Sequence, residues 1–367
     1  MGEKWENDLQ LSIHSYYKNE HKTGIRACER GLSVSTPWEI ENNFRNNYSF
    51  YIPILSKIYN ITNIRLEIPN KKPLENIFNP SIINYKDKTI VFIRSANYRI
   101  INGKYEIFDD RSVIRNKYYS AILDAYFSLN EIHEIFGPEY EKNEFPADGL
   151  EDIRPFLVGD DIFVSGTIRN KNPYTSKARI AISKFDYESH KMSGLDMLES
   201  PEGPDVHEKN WMPVIGNGFE WIYNCNSNGN TKIINQNSEI TSHHAAIELW
   251  KGFRGGSQVI PYKDGYLCII HEVSVKNDNT RCYTHRFVKF NNELKIIRYS
   301  IPFFLKKTHS IEFVSGICLS PSGVIVSFGI MDEEAWLASI DDDIIENLLS
   351  IREDLMNEDC SICYRQK

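Results

Sequence analysis

The sequence predicts an all-β chain, a five-bladed β-propeller with an N-terminal extension and a C-terminal helix. Three observations carry that expectation. One layout recurs five times along the chain. Each copy is broken near its middle by a turn signal. Each copy places polar residues at both ends of the hairpin so formed.

The copies are "FNPSIINYKDKTIVFIRSANY" (78–98), "LEDIRPFLVGDDIFVSGTIRN" (150–170), "HEKNWMPVIGNGFEWIYNCN" (207–226), "FRGGSQVIPYKDGYLCIIHEV" (253–273) and "EFVSGICLSPSGVIVSFGIMD" (312–332). Their turn signals are Lys86-Asp87, Gly159-Asp160, Gly216-Asn217, Lys263-Asp264-Gly265 and Ser322-Gly323, so each copy reads as strand, tight turn, strand. The second strands begin near residues 90, 162, 219, 266 and 324, about 58 residues apart. Four short strands and their connections fill that length. An irregular β-sandwich is the competing fold, but polar residues recurring at hairpin ends suit inner strands that converge on one channel.

The expected boundaries are an extension over residues 1–70, a catalytic propeller over 71–345 and a helix with tail over 346–367. The extension holds "NYSFYIPILSKIYNIT" and is expected to pack outside the propeller or close its first blade. "DDDIIENLLSIREDLMN" (341–357) has an acidic start and apolar residues at i, i+3 and i+4, which predicts an amphipathic helix.

Net charge is −8, and no block of Lys and Arg suggests a nucleic-acid interface. No apolar run approaches the roughly 18 residues that would span a bilayer. The first ten residues, "MGEKWENDLQ", lack a secretory apolar core. Seven Cys are scattered, with Cys225, Cys268 and Cys318 in strand-like apolar contexts. Cys360 and Cys363 form a CxxC that has no second pair to complete a zinc site. A reducing cytoplasm is therefore expected, with no metal and no cofactor.

If the five hairpins meet, their polar residues share a pocket. In chain order these are Asn79, Arg94, Ser95, Asp152, Arg154, Arg169, Asn170, Lys209, Asn210, Arg254, His271, Glu272, Tyr283, His285, Arg286, Glu312 and Asp332. Cations outnumber carboxylates. Arg, Lys, His and Tyr together suit a phosphate or a sugar nucleotide. Carboxylates and amides suit sugar hydroxyls, and the 20 Tyr and 6 Trp supply faces for sugar rings. An ordinary glycosidase needs two carboxylates across the scissile bond. A phosphate-dependent enzyme or a transferase needs only one, because the anion is nucleophile or leaving group. Asp152 with Arg154 can equally be a structural ion pair.

These motifs resemble glycoside hydrolase family 130, the β-mannoside phosphorylases, and the related five-bladed β-1,2-mannosyltransferases. "NPSIINYKDKTIVFIRS" is similar to the family's Asn-Pro-Ala start. "GLEDIRPF" is similar to its Glu-Asp-Pro-Arg motif, "EKNWMPV" to its Lys-Asn-Trp segment and "GYLCIIHEV" to its Tyr-His-Gly strand. "VSGICLSPSGVIVSFGIMDEEAWLASI" is similar to its closing blade. The resemblance covers roughly residues 75–345. It implies that Asp152 is the general acid, acting through a sugar hydroxyl with inversion. Asn79, Arg94, Ser95, Arg154 and Asp332 would hold the mannosyl unit. Arg169, Asn170, Lys209, Arg254, His271 and Tyr283 would surround phosphate or nucleotide. Ile153 departs from the motif proline, and "RGGSQVIP" replaces a Gly-x-Gly-Pro-Pro segment. "RGGSQ", "YTHRF" and "EAWLA" resemble domains that accompany glycosyltransferases in surface-polysaccharide pathways. The resemblance thus implies mannosyl transfer from a sugar nucleotide to a glycan acceptor, with phosphorolysis of a β-mannoside and glycan binding without catalysis as the alternatives.

Overall fold

A computed structural model describes residues 4–350 except 35, 70, 72–73, 102, 110–111, 172–176, 228–229, 246–253 and 277. It contains five antiparallel blades around one axis. Blade one is Asn76–Tyr85, Lys88–Ala96, Ile114–Leu123 and Leu129–Ile135, with a small hairpin, Tyr98–Ile101 and Lys104–Ile107, inserted after its second strand. Blade two is Glu151–Val158, Asp161–Ile168, Arg179–Asp186 and Lys191–Leu198. Blade three is Met212–Pro213, Glu220–Ser227, Asn230–Asn235 and Ile240–Ala245. In blade four, Arg254–Gly255 and Ile260–Tyr262 both pair with Gly265–Val275, which pairs with Arg281–Phe290 and onward to Ile296–Tyr299. Blade five is Glu312–Ser320, Gly323–Ile330, Glu334–Asp341 and, outermost, Thr62–Arg65.

Apolar residues fill the gaps between neighbouring blades. Blades one and two meet at Phe92, Ile153, Val164 and Phe185. Blades two and three meet at Phe156, Trp211 and Trp221, and blades four and five at Leu267, Phe287, Val326 and Phe328. The ring closes where Ile82 and Val91 of blade one pack on Ile325 and Leu337 of blade five, with Leu66 beside them.

The N-terminal extension packs on the outside of the propeller, one of the two placements expected. It is largely helical: α1 (Lys4–Tyr17), α2 (His21–Ser33), α3 (Trp38–Tyr48) and the short α4 (Leu55–Ile58). The helices cover the flank of blade four, where Cys28, Leu32, Phe44 and Tyr48 meet Cys268, Ile270, Val288 and Phe290. Thr62–Arg65 then completes the fifth blade, not the first. Helix α2 buries Gly24, Ala27, Cys28, Gly31 and Leu32 along one face, small residues that let it pack closely. Gly31 is obligatory there, because a Cβ would stand 2.1 Å from the Phe44 ring.

One buried charge cluster fastens the helices. Arg286 donates from Nη1 to Glu29 of α2 at 2.8 Å and from Nε to Glu272 at 2.5 Å, while Tyr48 of α3 donates to Glu29 at 2.7 Å. At the other end, residues 342–350 form α5, whose Ile345, Leu348 and Leu349 join the core of blades four and five. The expected continuation to 357, and Cys360 and Cys363, lie outside the described residues.

Candidate functional site

In four of the five blades the inner strand is interrupted. In blade one the register slips between Phe78 and Ser81, in blade two opposite Gly166, and in blade five between Val314 and Gly316. Blade four breaks between Gly255 and Ile260. Asn79, Asp152 and Asn210 take the left-handed conformation, with φ of 43°, 51° and 62°. Such breaks bend a strand and re-aim a side chain, and strained backbone of this kind clusters at functional sites. Space is reserved for them. A Cβ on Gly329 would stand 2.0 Å from Asn79 Oδ1, and one on Gly255 would stand 1.9 Å from the Asn210 carbonyl oxygen.

The result is a cavity of about 400 Å³ at one end of the axis. Of the residues expected there, Asn79, Arg94, Asp152, Arg169, Lys209, Asn210, Arg254, His271, Tyr283 and Asp332 line it. Asp152 is the hub. Its Oδ1 accepts from Asn79 Nδ2 at 2.9 Å and from Arg94 Nη1 at 2.6 Å, and among the described residues nothing donates to Oδ2. Burial alone would raise the Asp152 pKa. The charge of Arg94 and the amide of Asn79, aided by Arg154 and Lys209, outweigh it and hold the carboxyl below its ordinary value. In the unliganded protein Asp152 is therefore a carboxylate, the state of a base, whereas the resemblance assigned it the acid's part.

Asp332 behaves in the opposite way. Burial pushes its pKa up to about 6 against the pull of Arg94, and Tyr98 donates to its Oδ2 at 2.9 Å. His271 is 2% exposed and stacks on Tyr283 with centroids 5.1 Å apart. Burial, then the charge of Arg254, keeps its pKa well below the usual histidine value, so the ring is neutral, and Nδ1 has no partner among the described residues.

Seven expected residues do not line the cavity. Ser95 follows Arg94 on a strand, so its side chain points to the opposite face, where it donates to Glu75 at 3.1 Å. Asn170 turns away from Arg169, donating to Asp148 and accepting from Tyr140. Arg154 lies beneath the cavity, 1% exposed, as a clip between blades. It donates to the carbonyls of Gly256 and Asp152 and to Asn210 Oδ1 at 2.6, 2.9 and 3.3 Å. Gln258 adds a second clip, donating to the carbonyls of Ile82 and Pro155 and accepting from Ile317 N–H. These two side chains form the floor. Glu272, Arg286 and Glu312 serve elsewhere, the first two in the helix-fastening cluster and Glu312 in accepting from the backbone N–H groups of residues 305–307. His285 is buried against Glu312.

Other lining residues were not marked by the repeat, among them Tyr98, Tyr105, Phe145, Glu151, Arg281 and Phe313. Glu151 pairs with Lys209 at 3.0 Å. Tyr98 and Tyr105 come from the inserted hairpin, and the alternating run "YRIINGKYEI" was the available signal. Charge is unevenly shared. Arg94 is matched by Asp152 and Lys209 by Glu151, but Arg169, Arg254 and Arg281 have no carboxylate partner among the described residues. Among those residues no three His, Cys, Asp or Glu side chains are grouped as metal ligands.

No protein-family model matches the sequence, and no curated protein is similar to it at a significant level. Solved structures are similar in fold. A β-1,2-mannobiose phosphorylase from Listeria innocua superposes with a TM-score of 0.53 at 14% identity, over 80% of this chain and all of that one. A putative glycoside hydrolase from Bacteroides ovatus gives 0.50 at 15%, over 78% of this chain and 98% of that one. A second glycosyl hydrolase from Bacteroides ovatus gives 0.50 at 11%, over 73% and 85%. The chain thus shares the fold of these solved structures, with a helical extension packed on the flank of blade four.

Proposed function

We propose that this protein is an inverting glycosyltransferase that moves a mannosyl unit from a phosphate-bearing donor, such as a sugar nucleotide, to a glycan acceptor. One observation carries the reading: three arginines without carboxylate partners surround a cavity that also holds an ionised Asp152 with one free oxygen. Guanidinium groups bind phosphate with paired, charge-assisted hydrogen bonds. A carboxylate kept deprotonated before reaction suits removal of a proton from an attacking hydroxyl.

The chemistry balances as follows. The acceptor oxygen bonds to the anomeric carbon as the bond from that carbon to the phosphate oxygen breaks, with inversion. The acceptor proton passes to Asp152 Oδ2, directly or through a sugar hydroxyl. The charge on the leaving phosphate falls to Arg169, Arg254 and Arg281, with neutral His271 and Tyr283 as hydrogen-bonding neighbours. Asn79 and Asp332 face the sugar hydroxyls as donor and acceptor.

Phosphorolysis is the same reaction reversed, with inorganic phosphate attacking and a protonated Asp152 as acid. Two observations favour this second reading: the fold shared with a β-1,2-mannobiose phosphorylase, and a 400 Å³ cavity nearer the size of a disaccharide with phosphate than of a sugar nucleotide with its acceptor. A screen of hexose 1-phosphates and sugar nucleotides against β-mannoside acceptors, read as released phosphate or nucleotide and as product anomer by NMR, tests both. Inverted product from any of these donors is expected. Retained configuration, or no turnover from any donor together with no phosphate-dependent cleavage of β-mannosides, refutes the assignment.

A further inference from the structure

We propose that Asn116 is a positioning residue that aims Arg94 at Asp152 and leaves Asp152 Oδ2 as the reacting oxygen. The inference rests on the reading of Asp152 as the proton-transferring group. Asn116 does not line the 400 Å³ cavity. It stands behind Arg94 and borders a separate cavity of about 260 Å³.

The geometry is specific at both ends of the amide. Oδ1 accepts from Arg94 Nε at 2.9 Å and from Nη2 at 2.6 Å, while Nδ2 donates to the Asp148 carbonyl at 3.0 Å. Flipping the amide would oppose donor to donor and acceptor to acceptor, so the orientation is fixed. The backbone of Asn116 is fixed too. Ile114–Arg115 pair with Ala147–Asp148, and a Cβ on Gly149 would stand 3.0 Å from the Asn116 carbonyl oxygen. Phe78 supports the flat face of the guanidinium, whose carbon lies 4.7 Å from the ring centroid.

This arrangement uses up one edge of Arg94 on a neutral acceptor. Only Nη1 reaches Asp152, so the pair is single-pronged rather than the two-pronged contact that arginine and carboxylate usually make. A two-pronged pair would occupy Oδ2. A carboxylate at 116 would instead draw the cation toward itself. The amide holds the guanidinium without neutralising it, and its charge stays on Asp152. The other charged or titratable groups facing Asp152 are Arg154, Lys209, Glu151, Tyr98, Tyr118 and Asp332.

The test compares Asn116→Asp and Asn116→Ala with the parent, using protein labelled with carboxyl-¹³C aspartate and no substrate. The Asp152 signal is assigned by its loss in Asp152→Asn. Both variants should raise the Asp152 titration midpoint, Asn116→Asp by about one pH unit or more, since its new charge competes for Arg94. In the transfer assay the acidic limb of the pH–rate profile, set by ionisation of Asp152, should move up by the same amount in Asn116→Asp. In Asn116→Ala, kcat should fall about tenfold with KM little changed. An unmoved midpoint in folded variants, whatever their melting temperature, overturns the proposal. The titration needs no turnover, so a shifted midpoint in a protein that transfers no hexosyl unit would sustain the positioning role and refute the assigned reaction instead.

Discussion

Two aspartates share one cavity and are driven apart by their neighbours, a pattern that separates proton-transfer roles. Asp152 is held ionised by Arg94 and Asn79, and Asp332 is pushed toward the neutral form by burial. Asp152→Asn should keep the fold and lower turnover about 10²–10⁴-fold, measured as initial rates beside a melting curve. Asp332→Asn makes a prediction of opposite kind. The folded protein keeps the Asp332 proton up to about pH 6, whereas the unfolded chain releases it near 3.8. Between those values the folded state binds more protons, so stability falls as pH rises, and the cost is complete above about pH 6. Asparagine escapes that cost and still accepts from Tyr98. The variant should therefore be more stable than the parent at pH 7, by up to about 3 kcal/mol, with the gain vanishing as pH drops to 4. Urea unfolding at both pH values decides it, and an equal gain at both would refute the assignment.

The inner strands locate the site and the helices brace it. Four of the five are broken where they reach the cavity, and Arg154 spans three blades just below the breaks. Arg154→Leu should cost about 3–5 kcal/mol, since it leaves the carbonyl of Gly256 and the Asn210 amide without a donor and removes a buried cation beside Asp152. Turnover should fall with it. The helical extension is fastened through Glu29, Arg286 and Glu272, all at most 3% exposed. Arg286→Met would strand two buried carboxylates, and a loss of about 3–5 kcal/mol is expected in urea unfolding. Glu272 follows His271 on the same strand, so this brace lies directly behind a cavity residue. Element order was legible where turn chemistry was strong, at Lys86-Asp87 and Lys263-Asp264-Gly265. It was not drawn from α2, whose buried Gly24, Ala27, Cys28, Gly31 and Leu32 recur at helical spacing, because glycines inside a helix ordinarily weaken it.

Closure of the ring is a property of the whole chain. Thr62–Arg65 bonds to Glu334–Asp341 across more than 270 residues, and Leu66 seals the seam between blades five and one. Leu66→Ala should cost about 2–5 kcal/mol, read as a lower urea midpoint. The repeat was legible because propeller blades are local units, each copying the same hairpin. The pairing of the first strand with the last was not, since no local signal in "TNIR" names its partner. The cavity followed the same division. Ten expected residues meet there, but Ser95 and Asn170 were wrongly included because a strand alternates its faces, and Tyr105 was overlooked because it sits on an insertion outside the repeat. The central claim is that the assembled cavity binds the phosphate of a sugar-bearing ligand beside an ionised Asp152. Calorimetric titration of inorganic phosphate, hexose 1-phosphates and sugar nucleotides, alongside neutral β-mannosides, tests it most directly in the parent protein and in Arg169→Ala. The account predicts that at least one phosphate-bearing ligand binds, about tenfold or more weakly in the variant, and more weakly as salt rises, since Arg254 and Arg281 are exposed. Clear binding of a neutral mannoside with no heat from any phosphate-bearing ligand would contradict it.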